Sequence, residues 1–395
     1  MEHEVIPKER RIAGLERNVF FLGLVSFFTD TSSEMIRPLL PIFLSSVLGV
    51  NKAFIGLIEG IAESTASILK LFSGWISDRI GRRKALVLVG YSFSAVSKPF
   101  FAAATSGWHV LLVRFADRVG KGIRTSPRDA IIADSTSEEE RGRSFGFHRS
   151  LDSAGAIAGP LLAFIILPAL KNNLRLVFLA SFVPALLAVL IIIFFVRERR
   201  PPGGGIPRSL ALSLRSMPGS FKVFIAIAVI FTLGNSSDAF LILRAQDVGV
   251  TTKLIPILWL VFNAVYSFSA APSGVLSDRI GRRRIIIYGL LIYSLTYFGF
   301  AFAGAPLHIW GLFAIYGIYY GFADGAFRAY VADLVPSELR ATAYGVYHTA
   351  VGITAFPASV VMGILWQAVG ATAAFSFGAI LALAAAFSMA LFLKK

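Results

Sequence analysis

One short stretch of the chain occurs twice, near the middle of each half. The first copy, GWISDRIGRRK, occupies residues 74–84, and the second, GVLSDRIGRRR, occupies residues 274–284. Each copy ends a long apolar run with a polar turn and a basic cluster, and another apolar run follows at once. This arrangement predicts a tight hairpin between two membrane helices in each half, with its basic tip on the cytoplasmic side. The chain is therefore expected to fold as two related halves.

The composition is that of a membrane protein. Hydrophobic residues make up 56% and charged residues only 15% of the 395 residues, and the mean hydropathy is +0.71. The formal net charge of +15 comes from short basic clusters between apolar runs, which argues against binding of nucleic acid. The chain contains no Cys, so it can form neither a disulfide nor a thiolate metal site. Its polar start, residues 1–17, lacks the pattern of a cleavable signal, so the first apolar run is expected to remain as a helix.

Twelve apolar runs are long enough to cross a bilayer, which takes about 20 residues. They lie at about 19–46, 53–77, 84–104, 108–128, 144–168, 174–196, 221–246, 253–277, 285–304, 307–332, 341–367 and 371–393. Basic residues concentrate at both ends of the chain and in the loops after even-numbered runs. Both termini are therefore predicted to be cytoplasmic, and the protein to be a multi-pass protein of the cell membrane. A Pro- and Gly-rich stretch within residues 197–219 is expected to be a cytoplasmic linker between the halves.

The repeated stretch resembles the G-x-x-x-D-R-x-G-R-R loop signature of the major facilitator superfamily. The resemblance implies an all-α polytopic fold of twelve transmembrane helices in two pseudo-symmetric six-helix bundles, residues 1–196 and 220–395. The substrate would bind near the midplane between them. The first glycine leaves room for a neighbouring helix, the second permits a tight turn, and the Asp can meet a helix N-terminus or an Arg. The alternative is a topology signal only, although positive charge alone would need neither the Asp nor the glycines. The implied gating residues are Gly74, Asp78, Arg79, Gly81 and Arg82, with their repeats Gly274, Asp278, Arg279, Gly281 and Arg282.

Ionisable residues occur inside the predicted helices, where each costs about 2.5–3.5 kcal/mol and therefore needs a partner or a function. The first run carries Asp30, Glu34 and Arg37 on one face. Two carboxylates one turn apart disfavour double ionisation, so one of them can carry a proton near neutral pH, although Arg37 could favour the ionised form instead. Arg114 on the fourth run resembles the Arg of the superfamily's R-x-x-x-G-x-G pattern, from which the chain departs at Asp117 and Arg118. The residues predicted to couple protons are Asp30, Glu34, Arg37 and Arg114.

The two halves differ in the side chains on the faces of their predicted helices. Charged faces on the second and fourth runs of the first half are matched in the second half by aromatic faces. These sets can form a substrate cavity, or the charges can neutralise one another and the aromatic residues can simply pack. Lys98 and Arg128, near helix ends, are expected to extend to the membrane interface. The predicted cavity residues are Glu59, Glu63, Arg118, Asp152, Trp259, Asn263, Tyr266, Tyr316, Tyr320 and Asp324.

The fifth run contains Gly155, Gly159 and Pro160, which resemble the G-x-x-x-G-P signature of proton-coupled antiporters in the superfamily. Glycines at this spacing let helix backbones touch, and the Pro permits a bend. The alternative is ordinary close packing, since small residues at this spacing are common in membrane helices.

Our preferred interpretation is an alternating-access transporter that exports a small amphipathic or aromatic compound in exchange for protons. The alternative is a proton-coupled importer of an organic anion, attracted by the basic stripe on the fourth run. A sensor that no longer transports would be expected to lose the hairpin motifs. The sequence contains no recognisable nucleophile, base and acid set, so no enzymatic activity, cofactor or metal is expected. The expected partners are a small-molecule substrate, protons and the lipid bilayer, and the protein is expected to be a monomer that binds no nucleic acid.

Overall fold

The computed structural model of the chain describes residues 11–137, 140–198, 217–336 and 339–393, with every side chain except those of Asp78, Asp324 and Ala341. Most of the predicted linker therefore lies outside the described residues, as do the side chains of the predicted gating residue Asp78 and cavity residue Asp324. Within the described ranges the regular structure is helical.

Twelve helical segments of membrane length follow one another, and each coincides with one of the predicted apolar runs. Their bounds are α1 Arg17–Val47, α2 Lys52–Ile80, α3 Arg83–Ala103, α4 Gly107–Asp134, α5 Arg141–Ala169, α6 Leu174–Phe195, α7 Gly219–Asp247, α8 Thr252–Ile280, α9 Arg282–Phe302, α10 Pro306–Asp333, α11 Arg340–Ala368 and α12 Ala371–Phe392. Nine of these segments, counted over the described residues, are apolar enough throughout to cross a membrane. The other three are α2, α4 and α10, whose charged or tyrosine-rich faces form much of the site described below.

Two of the segments are interrupted near the middle of the molecule. In α1 the regular helix stops at Ile36, next to Pro38, and resumes at Leu40. Proline has no backbone N–H to donate, which favours this break. In α7 the helix stops at Gly234 and resumes at Ala239, because Asn235 takes non-helical backbone angles (φ −95°, ψ 79°). Both breaks bring polar residues to the contact between the two halves.

The helices of each half pack in the same pattern. In the first half, α1 lies against α5 and α6, α3 lies against α4 and α6, and α2 lies against α4. In the second half, α7 lies against α11 and α12, α9 lies against α10 and α12, and α8 lies against α10. The second set follows from the first by adding six to each helix number, so the repeat seen in the sequence is also a repeat of packing.

The two halves touch each other mainly through α2 and α11, where glycines allow the backbones to meet. A Cβ atom added to Gly56 would lie 2.3 Å from the backbone oxygen of Ser359, and one added to Gly363 would lie 2.5 Å from that of Lys52. These contacts lie on the half of each helix that is remote from the basic hairpins. The structure is therefore closed on the side opposite the hairpins.

We expect Gly56→Ala to open this closed side, because the new methyl group would collide with a backbone oxygen that cannot rotate away. Since the chain has no Cys, a single Ala355→Cys reporter in the cavity between the halves can be labelled without background. Labelling by a membrane-impermeant reagent from the side opposite the hairpins should rise severalfold. Gly142→Ala, where an added Cβ meets nothing within 4 Å, is the control. An unchanged labelling rate in Gly56→Ala would contradict this view of the contact.

Candidate functional site

A network of charged and polar side chains joins the two halves where α1 and α7 are interrupted. The Arg37 guanidinium lies 3.2 Å from a Glu34 oxygen and 3.2 Å from an Asp238 oxygen, and so links α1 to α7. The indole N–H of Trp259 on α8 donates to the other Glu34 oxygen at 2.6 Å, and Arg37 lies 5.3 Å from the centre of that ring. The phenol of Tyr316 donates to Asp238 at 2.8 Å. Glu34 and Arg37 share one face of α1, as predicted, and both contact the second half.

A second, fully buried ion pair lies beside this network. The Arg114 guanidinium donates to Glu59 at 2.9 Å, and both side chains are less than a tenth exposed. The hydroxyl of Ser237, from the second half, donates to the same carboxylate at 3.2 Å. Arg114, predicted to couple protons, and Glu59, predicted to line the cavity, are thus partners of each other in this conformation.

One cavity between the halves, the central cavity, has a volume of about 260 Å³. Its lining combines polar and aromatic side chains. Its polar lining includes Arg37, Glu63, Ser236, Ser237 and Asp238, and its aromatic lining includes Phe231, Tyr319, Tyr320, Phe327 and Tyr347. Of the predicted cavity residues, Glu63 and Tyr320 line it. Sequence analysis missed Phe231 on α7 and Tyr347 on α11. The helical spacing of Phe221, Phe224 and Phe231 was the available signal on α7.

Several residues predicted to line the cavity lie behind its wall instead. Trp259 and Tyr316 are 1% and 0% exposed, and both are hydrogen-bonded to the acids of the network. The Asn263 amide is buried and donates to the backbone oxygen of Trp259 at 3.1 Å. The helical spacing placed these residues on the correct face of α8 and α10, but that face meets α1 and α7 rather than open space. Arg118 is also buried, with its guanidinium 3.9 Å from Glu63.

Asp30 and Asp152 meet between α1 and α5. The Asp30 carboxyl lies beside that of Asp152, which accepts from Ser26 at 3.1 Å and from Arg149 at 3.3 Å. Two adjacent carboxyl groups can hydrogen-bond to each other only when one of them carries a proton. The sequence predicted that Asp30 and Glu34 could hold a proton between them. In this conformation Glu34 contacts Arg37 and Trp259, and Asp152 is the carboxyl beside Asp30.

A larger cavity of about 480 Å³, the basic cavity, lies next to this carboxyl pair. It is bordered by the first half and by one residue of α10. Its charged lining consists of Lys70, Lys121, Arg124, Arg128, Arg149 and Arg328, against Asp30, Asp129 and Asp152. A neighbouring cavity shares Arg149 and Arg328 and contains the hairpin residues Asp278 and Arg282, together with Tyr266, whose phenol accepts from Arg149 at 2.8 Å. The basic cavity therefore leads toward the hairpins.

Lys98 does not extend to the membrane interface as predicted. Its side chain is buried, and the ammonium lies 3.2 Å from Asp117 and 3.2 Å from the Ser33 hydroxyl. The residue points from α3 toward α4 rather than toward lipid. Arg128 is likewise held inside, by hydrogen bonds of 2.8 and 2.9 Å to Asp129.

The hairpins have the predicted tight turns, since Gly81 and Gly281 take φ values of +67° and +94°. An added Cβ at Gly74 would lie 3.3 Å from Ser126 on α4, whereas at Gly274 it would meet nothing within 4 Å. Close helix approach is thus seen only at the first copy. Four further predicted gating residues lie exposed at the tips, namely Arg79, Arg82, Asp278 and Arg279.

Each hairpin is tied to the fourth helix of its own half, α4 or α10. Arg83 donates to the backbone oxygen of Ala130 and to the Asp134 carboxylate, and Arg282 donates in the same way to Ala329 and Asp333. The Arg and Asp are 51 residues apart in both halves. This identical spacing is the signal that would have found Asp134 and Asp333 in the sequence.

The glycines of α5 pack against α1. A Cβ added to Gly155 would lie 2.5 Å from the backbone oxygen of Phe27, and one added to Gly159 would lie 2.6 Å from that of Thr31. Pro160 lies inside the same helix. This close approach places Asp152, three residues before Gly155, beside Asp30.

Comparison with known proteins gives a consistent result along the whole chain. The model of the Major Facilitator Superfamily matches residues 22–353 and 223–395. An uncharacterized MFS-type transporter of Methanocaldococcus jannaschii is 37% identical over 375 residues, which cover 93% of each chain. A multi-drug resistance efflux pump of Streptococcus pneumoniae is 25% identical over 319 residues, 76% of each chain. A crystal structure of a POT family transporter in complex with 5-aminolevulinic acid superposes with a TM-score of 0.83 at 13% identity, covering 97% of both chains, and so has the same fold.

Proposed function

The chain belongs to the major facilitator superfamily of membrane transporters, and we propose that it exports a small amphipathic or aromatic compound in exchange for protons by alternating access. The observation that carries this proposal is the presence of two adjacent carboxyls, Asp30 and Asp152, in the same molecule as a central cavity lined by both polar and aromatic side chains. We also infer that the termini and the hairpins face the cytoplasm, as their positive charge favours.

The central cavity supports the substrate class. Its aromatic side chains offer ring faces for stacking, and Arg37, Glu63 and Asp238 offer one or two hydrogen bonds. Ligand sites in proteins are commonly mostly apolar, with a few polar groups that fix orientation. A compound with an aromatic body and one polar group would match this lining.

The carboxyl pair supports proton coupling. Asp30 and Asp152 can hold one proton between them, and loss of that proton leaves two negative charges in contact. Asp30 is one turn before Glu34 on α1, and Glu34 holds Trp259 of the second half. A change of charge at Asp30 therefore acts on a residue that ties the halves together. This gives the proton a way to bias the equilibrium between conformations.

The direction of transport is tested in inverted membrane vesicles loaded with acid. An antiporter should release protons from the vesicle lumen when substrate is added outside, and should concentrate the substrate inside. The control is the same experiment after the proton gradient has been collapsed with an ionophore. Substrate uptake that is accompanied by proton movement in the same direction would contradict antiport.

The second candidate is a proton-coupled importer of an organic anion, which the excess of cations around the basic cavity favours. The two candidates differ in the sign of linkage between proton and substrate. In an antiporter the two compete, so acidification weakens substrate binding. In a symporter acidification strengthens it.

We expect Tyr320→Ala to weaken substrate binding about tenfold, or ~1.4 kcal/mol, because the ring and its hydroxyl are lost from the central cavity. Affinity should be measured by titration of purified protein with a substrate found by thermal-shift screening. Phe268→Ala removes an aromatic ring that is 80% exposed on the outside of α8 and serves as the control. Equal affinities in both variants would remove Tyr320 from the substrate site.

A further inference from the structure

The lining of the basic cavity contains more cations than acids. Six cationic side chains line it against three carboxylates. From this imbalance and the contacts described below we propose that the basic cavity binds a phosphate-type oxyanion, separately from the substrate in the central cavity. The proposal does not depend on antiport or on the aromatic substrate.

Lys121 contributes a cation to the cavity wall. Glu63 and Asp30 act on its charge from a distance, but among the described residues its ammonium forms no hydrogen bond or close ion pair. It lies one helical turn before Arg124 and one turn after Arg118 in a cationic stripe. Three like charges on one helix face repel each other. An anion placed between Lys121 and its neighbours relieves this repulsion.

Two buried polar atoms in the cavity wall lack a hydrogen-bond partner among the described residues. The Thr29 hydroxyl and the Nε2 atom of His148 belong to side chains that are 5% and 6% exposed, and neither atom makes a hydrogen bond within the described structure. Leaving such an atom unsatisfied costs about 1–3 kcal/mol, so each one calls for an explanation. Both can donate a hydrogen bond to an oxyanion.

The two arginines on the same helix are held in place before any anion binds. Arg124 donates to the Ser94 hydroxyl at 2.7 Å and lies 4.3 Å from the centre of the Tyr91 ring. Arg128 is fixed by Asp129. Donors that are already ordered lose little entropy on binding.

The cavity suits such a ligand in size and access. Its volume of about 480 Å³ lies within the range of about 300–1,000 Å³ that is usual for small-molecule sites. It is reached from the side of the basic hairpins, so a soluble anion can enter from there. A lipid phosphate at the same face has the same chemistry and is separated by the test below.

The test is calorimetric titration of the full-length protein in neutral detergent with inorganic phosphate, in chloride-free buffer. Lys121→Gln should weaken phosphate binding at least tenfold. Lys222→Gln, which removes an exposed lysine from the hairpin-side end of α7, is the matched control and should bind as the parent does.

The Thr29→Val variant distinguishes a role of Thr29 in phosphate binding from a role in the stability of the fold. It removes an unpartnered hydroxyl and keeps the shape of the side chain, so the thermal stability of the phosphate-free protein should stay the same or rise, while phosphate affinity should fall severalfold. A purely structural role for Thr29 would instead lower stability and leave phosphate affinity unchanged.

A second experiment, with lipids, distinguishes a soluble phosphate from a lipid headgroup as the source of the oxyanion. Protein in nanodiscs of neutral lipid, with and without an anionic phospholipid, is compared by thermal stability. If phosphate stabilises the parent protein but not Lys121→Gln, the ligand is a soluble anion. If only the anionic lipid stabilises the parent protein, and Lys121→Gln loses this effect, the ligand is a lipid headgroup. If neither ligand stabilises the parent protein more than Lys121→Gln, the proposal is overturned.

Discussion

Asp30→Asn is expected to abolish transport against a gradient while leaving substrate binding intact, and Asp152→Asn is expected to do the same. In the proposed mechanism the two adjacent carboxyls share a proton, and the pair gains a second negative charge when that proton leaves. An Asn amide donates to the remaining carboxylate and so mimics the protonated pair permanently. The variant should therefore bind substrate but fail to exchange it for a proton.

The measurement is substrate accumulation in inverted vesicles with an imposed proton gradient, together with the affinity of purified protein at several pH values. Accumulation should fall to the level of gradient-free vesicles, and the pH dependence of affinity should flatten. Asp247→Asn, at an exposed carboxyl outside the site, is the control. If both pair variants still concentrate the substrate, the proton is carried elsewhere, and Glu34 or Glu63 becomes the next candidate.

The fold could be predicted from the sequence because its determinants are long-range patterns. Twelve apolar runs fix the number of helices, and a motif that recurs after half of the chain fixes their division into two sets. The breaks in α1 and α7 were not predicted. Pro38 and Pro41 are visible in the sequence, and so is Gly234, which directly precedes the break at Asn235 and commonly marks a helix end.

The site was predicted only in part, because helical periodicity gives the face of a residue but not what lies opposite. Asp30 and Glu34 share a face, yet one meets Asp152 on α5 and the other meets Trp259 on α8. Only the position of each helix among its neighbours decides between these partners. The Gly155 motif held a usable signal, since it marks where α5 touches α1 and Asp152 lies one turn before it.

Lys98 and Asp117 are both unusual inside a membrane helix, and each is the partner that stabilises the other. Asp117 stands where the superfamily pattern has Gln. Without a partner, a carboxylate at this position inside a membrane helix would be unfavourable. The structure puts Lys98 of α3 against it, with both side chains less than a tenth exposed. An acid on α4 and a base on the neighbouring α3 are enough to predict an ion pair from the sequence. The prediction that Lys98 extends to the membrane interface left this pair out.

Arg114→Gln is expected to destabilise the protein by about 3–5 kcal/mol, because it leaves the Glu59 carboxylate buried without its cation. The hydroxyl of Ser237 is then the main group left to stabilise that charge. The double variant Glu59→Gln/Arg114→Gln removes both charges and keeps side chains that can hydrogen-bond to each other, so it should recover most of the lost stability. Thermal unfolding of the purified variants measures both effects. Arg11→Gln, which breaks only exposed ion pairs, should change stability by less than about 1 kcal/mol.

The double variant also decides what Arg114 does. If the ion pair serves only to pack α2 against α4, a variant that regains stability should regain transport as well. If Arg114 takes part in proton coupling, as its resemblance to the superfamily pattern predicts, the double variant should be stable and still bind substrate, but should not accumulate it in vesicles. A single Arg114→Gln variant that is as stable as the parent would contradict the buried ion pair itself.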